Sequence, residues 1–220
     1  NGSASNGLFI LDKNLELTGS VEKLAKNERI YSARFLGARA YFVTYRETDP
    51  VFLVDLSDPE KPVVKDKLKL PGFSDYLHTF GDHLLLGIGS NETKNGLSQV
   101  KLSMFDISSD SSVREAHSKL LEKDSISLAG DNHKAILVDV ERNIIGLCVY
   151  SDKSDPSYRL YSYSEKGFHN VATLTPKDLS FTNARGIFIG DYFYLVDSEG
   201  LRSGVRVYDA KTFKPLKRGG

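Results

Sequence analysis

Ala33-Arg34-Phe35-Leu36-Gly37, Ala40-Tyr41-Phe42-Val43-Thr44-Tyr45, Val51-Phe52-Leu53-Val54-Asp55 and a closing Val63-Val64-Lys65 are short apolar runs cut by turn residues. They are rich in β-branched and aromatic types, and Gly37, Asp49-Pro50 and Asp58-Pro59 bound them. Runs of this length and composition, punctuated in this way, are the signature of strands. The same order returns downstream. A second copy starts near Tyr76 and passes through Gly81-Asp82, Leu84 to Ile88 and Leu102-Ser103-Met104-Phe105-Asp106, then Val113 onward. A third runs from His133 to Val138, Ile144 to Val149, Tyr158 to Tyr163 and Phe168 to Ala172. The fourth runs from Ile187 to Asp191, Tyr192 to Val196, Val205 to Asp209 and Phe213 to Lys217. Phe35-Leu36-Gly37 and Phe188-Ile189-Gly190 match nearly letter for letter, each two residues ahead of an aromatic strand. The rival pattern lies between Ser112 and Lys123, where Val113, Ala116, Leu120 and Leu121 fall at helical spacing behind a Ser112/Glu115 capping box.

Four short strands per copy, recurring every ~40 to 58 residues, predict an all-β chain folded as a β-propeller of four-stranded antiparallel blades. The expected blades cover about 29–72, 73–123, 131–176 and 182–218. The beginning matches only the last two strands of a copy: Leu8-Phe9-Ile10-Leu11-Asp12 then Leu15-Glu16-Leu17 parallel Val205 to Asp209 then Phe213 to Leu216. Residues 6–28 are therefore expected to form half a blade, giving about four and a half blades in one propeller domain over 1–220. A start in mid-blade leaves a strand edge without its inner partners, so the chain is expected to be part of a larger propeller.

Twenty-nine basic and 29 acidic residues cancel to a net charge of zero, with 40% apolar content. The chain can fill a core, and it lacks the basic excess of a dedicated nucleic-acid binder. One cysteine, Cys148, permits no internal disulfide and no cysteine-based metal cluster. No apolar run approaches the ~18 residues of a membrane-spanning helix. The first seven residues, Asn1 to Gly7, are small and polar, unlike the start of a signal peptide; a mature chain or an excised piece would look the same.

The phrases Arg29 to Gly37, Asp55-Leu56-Ser57-Asp58-Pro59, Pro71 to His78, Leu85-Leu86-Gly87-Ile88-Gly89 and Leu102 to Asp106 carry a family resemblance. They resemble secreted bacterial and archaeal proteins with a C-terminal β-propeller domain distantly similar to WD40 repeats. The likeness runs over residues 28 to 218 and is densest between 29 and 106. It departs at Ser108-Ser109-Asp110, which stand where the family places an Asp-Pro turn. The resemblance implies more blades than this chain supplies and an extracellular or cell-surface location. It implies no catalytic residues.

The residues themselves point the same way. Gly37-Ala38, Gly81-Asp82 and Gly190-Asp191 read as hairpin turns. Asp152-Lys153-Ser154-Asp155 is too short for a calcium loop. The five histidines, His78, His83, His117, His133 and His169, show no metal-ligand spacing, and neither a metal nor a cofactor is expected. No Gly-x-Ser-x-Gly elbow or Gly-x-Gly-x-x-Gly loop occurs, and Cys148 reads as a small buried hydrophobe. What remains is a rigid scaffold presenting polar and aromatic positions around a channel. Arg34, Arg46, Asp75, Tyr76, His78, His133 and Arg185 are the expected ligand-binding residues. The expected function is non-catalytic recognition of a protein, peptide or surface glycan. The alternative is a hydrolase at the channel mouth, with His78, Asp75 and His133 as acid-base groups.

Overall fold

A computed structural model describes residues 5–45, 49–70, 72–92, 98–128, 131–197 and 204–216. The chain is all-β, a β-propeller of four-stranded antiparallel blades, with one 3-10 turn among the described residues, at His133–Ala135. Two compact units divide it: residues 1–91 with 101–118, and residues 92–100 with 119–220.

In the first unit, β1 (Asn6–Leu11) and β2 (Leu17–Leu24) form a two-stranded sheet. The next sheet has the order β3 (Arg29–Leu36), β4 (Arg39–Tyr45), β5 (Asp49–Asp55), β6 (Val63–Leu70). It is followed by β7 (Phe73–Thr79), β8 (Leu84–Glu92), β9 (Ser98–Asp106) and β10 (Arg114–Leu120), again in sequence order, of which residues 92, 98–100 and 119–120 count to the second unit. The β3–β4 and β7–β8 hairpins follow from their turns: Gly37 and Gly81 take φ of 56° and 75°, and nothing stands within 4 Å of where a Cβ would be. The demand at both positions is thus on backbone conformation, which glycine meets without penalty.

Successive side chains on β4 go to opposite faces, and both faces are covered. Ala40 and Phe42 pack with Phe52, Val54 and Leu8 of β1. Tyr41 and Val43 pack with Val51 and Leu53, and with Leu77, Leu85 and Phe105 of the following sheet. That is why the run reads as continuously apolar rather than alternating. Each of the Val, Leu and Phe side chains among them contributes about 1.5–3 kcal/mol on burial.

The helical spacing between Ser112 and Lys123 yields to the sheet. Residues 114–120 are the strand β10, and its Glu115 carboxylate sits 2.9 Å from the buried Lys101 ammonium of β9 while accepting from Ser103 Oγ at 2.8 Å. A helix here would leave Lys101 without that carboxylate, and a buried cation needs one.

In the second unit, β11 (Ser125–Ile126), β13 (Ile144–Ser151), β14 (Ser154–Ser164) and β15 (Gly167–Leu174) pair in that order, and β12 (Leu137–Asp139) also pairs with β13. The expected inner strand from His133 to Val138 is thus not continuous. Asn132 Oδ1 accepts from the Lys134 amide at 3.1 Å and turns the chain into the short 3-10 segment instead. The last sheet is β16 (Arg185–Ile189), β17 (Tyr192–Asp197) and β18 (Gly204–Asp209). Of its expected fourth strand, Phe213 to Lys217, the described part ends at Leu216 and meets β18 at one bridge, Tyr208 with Pro215, where the Leu216 amide donates to the Val207 carbonyl at 2.9 Å and the Asp209 amide to the Lys214 carbonyl at 3.0 Å. Phe213 has φ of 52°, and Asp209 Oδ1 draws the Lys211 and Thr212 amides into a tight turn, so the pairing begins only beyond Phe213.

Candidate functional site

The first strands of the two complete sheets in the first unit share one irregularity. In β3, Ile30 pairs with Thr44 and Ser32 with Val43, so Tyr31 is an extra residue. In β7, Ser74 pairs with Gly89 and Tyr76 with Ile88, which makes Asp75 the extra residue. A bulge of this kind re-aims every side chain beyond it. Beyond Asp75, Leu77 turns into the core while Tyr76 and His78 share the other face of β7.

Arg34 of β3 reaches this face. Its Nε donates to the Leu77 carbonyl at 3.0 Å, its Nη2 donates to the same oxygen, and its guanidinium lies 5.9 Å from the Tyr76 ring centre. Tyr76 and His78 stack with ring centres 5.8 Å apart and planes 23° apart, and the Tyr76 hydroxyl is 2.8 Å from His78 Nδ1. Burial raises the Tyr76 phenol above its ordinary value, against a smaller lowering by Arg34. Burial, and then the positive charge of Arg34, lowers the His78 imidazole. At neutral pH the phenol therefore keeps its proton and the imidazole is neutral, the hydroxyl and Nδ1 sharing one hydrogen bond.

The result is a half-buried plane of guanidinium, phenol and neutral imidazole held by the backbone of two sheets. Part of its work is structural, because Arg34 satisfies a carbonyl of β7. The His78 midpoint is expected below 6.5, and Arg34→Ala is expected to raise it by removing a positive neighbour. Histidine titration by NMR in both proteins checks this; an unchanged midpoint would separate the two residues.

The other sequence-nominated residues lie elsewhere. Arg34 stands within β3, and Tyr76 and His78 within β7, the first strands of their sheets. Arg46 lies outside the described residues. Asp75 is the bulge residue of β7. His133 is exposed at the start of the 3-10 turn, and Arg185 opens β16 with its Nη1 donating to the Ala184 carbonyl at 2.9 Å. Both belong to the second unit. Cys148 is buried with its thiol pushed up to about 12 by desolvation, which keeps it protonated and unreactive at neutral pH. Among the described residues no group of three His, Cys, Asp or Glu side chains is placed to hold a metal.

Sequence reasoning passed over a cleft of about 550 Å³ beside the β3–β4 turn, lined by Arg39, Asp55, Asp82, His83 and Asp110 among others. Arg39 Nη1 there donates to the Ile107 carbonyl at 2.9 Å and stands 3.3 Å from an exposed Asp110. Asp55 is held at about 2 by hydrogen bonds from Ser57 and then Lys65. These are the turn acids of the sequence, brought together by the hairpins. Only the pairing of separate turns could have signalled them.

The family described as a beta propeller domain matches residues 1–212. An uncharacterized protein of Archaeoglobus fulgidus is 35% identical over 96% of the chain and 31% of its own length. Another, from Methanocaldococcus jannaschii, is 36% identical over 86% of the chain and 28% of its own length. The chain thus spans about a third of the length of these relatives. Among solved structures, TolB from Acinetobacter baumannii aligns over 95% of this chain and 47% of its own at 19% identity, with a TM-score of 0.42. No helix among the described residues is long and apolar enough to cross a membrane. Four-stranded antiparallel sheets in sequence order and a family match over nearly the whole chain lead to one conclusion: the chain belongs to the beta propeller domain family.

Proposed function

We propose that this chain is a non-catalytic recognition module, acting outside the cell or at its surface, that binds a protein, peptide or surface glycan. Arg34, Tyr76 and His78 are its principal contact residues, with Asp75 beside them. The observation that carries the reading is the fixed stack of Arg34, Tyr76 and His78, whose rings lose little freedom when a ligand arrives. Arginine and aromatic side chains dominate the energetics of recognition surfaces for that reason. A hydrolytic role for His78 is disfavoured by its partner. A general base of the triad type donates Nδ1–H to a carboxylate, and here Nδ1 faces the Tyr76 hydroxyl at 2.8 Å instead.

Fluorescently labelled chain applied to glycan and peptide arrays tests the proposal. Discrete hits are expected, and the Arg34→Ala/Tyr76→Ala double variant is expected to lose them, with no turnover of ester, glycoside or peptide substrates. Hits that survive the double variant, or turnover that His78→Ala abolishes, would overturn it.

A further inference from the structure

The guanidinium of Arg34 is only half engaged. Its Nε/Nη2 edge holds the Leu77 carbonyl, and it has no carboxylate partner among the described residues. Nη1 has no hydrogen-bond partner and is not buried. The free Nη1/Nη2 end therefore presents two parallel N–H bonds at the spacing of a carboxylate's two oxygens. His78 Nε2 is likewise unpartnered and not buried, since the imidazole's one hydrogen bond runs through Nδ1. Tyr76 and His78 keep part of their surface in solvent, and with planes 23° apart they form one flat plate beside that charge. A half-buried cation without a counter-ion favours an anionic ligand. The plate suits a rigid ring whose C–H bonds lie flat on aromatic carbon, and a rigid ring loses less freedom on binding than a flexible acidic side chain. A pyranose bearing a carboxylate has both features, whereas a neutral pyranose has only the second.

We propose that the stack of Arg34, Tyr76 and His78 binds an acidic glycan, with a uronic acid ring on the Tyr76/His78 plate and its carboxylate on the Nη1/Nη2 end of Arg34. The proposal rests on the recognition reading above and names its ligand. A carboxylate of this kind stays ionised above about pH 5. Arg34 of β3 is the charged group that acts on His78, Tyr76 is its ring partner, and Leu86, opposite it on β8, is apolar. A bound anion offsets the charge of Arg34, so His78 takes up a proton more readily in the complex than in the free protein. By linkage the glycan binds more tightly as the pH falls from the bound midpoint to the free one, by about tenfold for each unit that the midpoint rises.

Titration calorimetry of the wild-type protein with tetragalacturonate and with its methyl ester, at about pH 5.5 and about pH 8, tests it. The acid is expected to bind about tenfold or more tighter than the ester, because only the acid makes the charge-assisted contact. Its binding is expected to strengthen at the lower pH, with uptake of a proton. His78→Gln is expected to remove the pH dependence, and Arg34→Ala to remove the preference for the acid. Equal binding of acid and ester, or no binding of the acid, would overturn the proposal. Equal binding that Tyr76→Ala abolishes would leave recognition at the stack standing while refuting the acidic ligand. Tighter binding of a tetraglutamate peptide would make an acidic peptide the ligand and overturn the glycan. Binding of the acid that Arg34→Ala and His78→Gln both leave unaltered would overturn the recognition reading itself.

Discussion

Phe193→Ala is expected to lower stability by about 3–5 kcal/mol, the range for removing a fully buried aromatic ring. Phe193 has no exposed surface, and rings surround it: Phe188 at 5.0 Å, Phe213 at 5.7 Å, Tyr158 at 5.9 Å and Tyr208 at 6.2 Å between centres. Rigid rings on different strands cannot collapse into the space it leaves, so the cavity persists and its cost is near the top of the range. Ile189→Ala, on the exposed face of the same sheet, is expected to cost less than about 0.5 kcal/mol in the 220-residue chain. Urea unfolding followed by far-ultraviolet circular dichroism distinguishes them; tyrosine fluorescence serves as a second probe because the chain has no tryptophan. Equal midpoints for the two variants would show that the Phe193 cluster is not the core of this unit.

The second large effect comes from a methyl group. At Gly186 an added Cβ would lie 2.5 Å from the Tyr158 hydroxyl, 2.7 Å from Phe193 Cζ and 2.8 Å from Tyr158 Cε1. Those atoms end side chains, but the side chains are fully buried and cannot retreat. The same hydroxyl accepts the Gly186 amide at 3.1 Å, so displacing it also takes the partner from a half-buried donor. Gly186→Ala is expected to cost about 1–3 kcal/mol or more by overpacking. Tyr158→Phe alone is expected to cost about 1 kcal/mol for the lost hydrogen bond. Removing the hydroxyl relieves the tightest contact, so the double variant is expected to be more stable than the sum of the two losses. Strict additivity in a double-mutant cycle by urea unfolding would contradict this geometry.

Much of the fold was legible because a sheet covered on both faces leaves an unmistakable run. Ala40 to Thr44 cannot be solvated on either side, and Ile144 to Val149 repeats the pattern. The turns were equally plain, since Gly37 and Gly81 occupy positive φ. The bulges at Tyr31 and Asp75 were not, because neither is a glycine and their cause lies in register with a neighbouring strand. Arg34, Tyr76 and His78 were singled out by residue type and by nearness to first strands, yet their meeting depends on those bulges. Phe213 to Leu216 has the composition of a strand, but the Asp209 side chain closes a local turn that composition does not reveal. The run from Ile187 to Val196 was read as strand without a hint that one of its faces would stay open.

The central claim is that the stack of Arg34, Tyr76 and His78 is a recognition surface. It is tested most directly by following the ring resonances of all the histidines while a glycan or peptide selected on the arrays is titrated into the wild-type chain. The account predicts that His78 moves with occupancy while His169, on the exposed edge of β15, does not. Saturable binding that leaves His78 unmoved would contradict it.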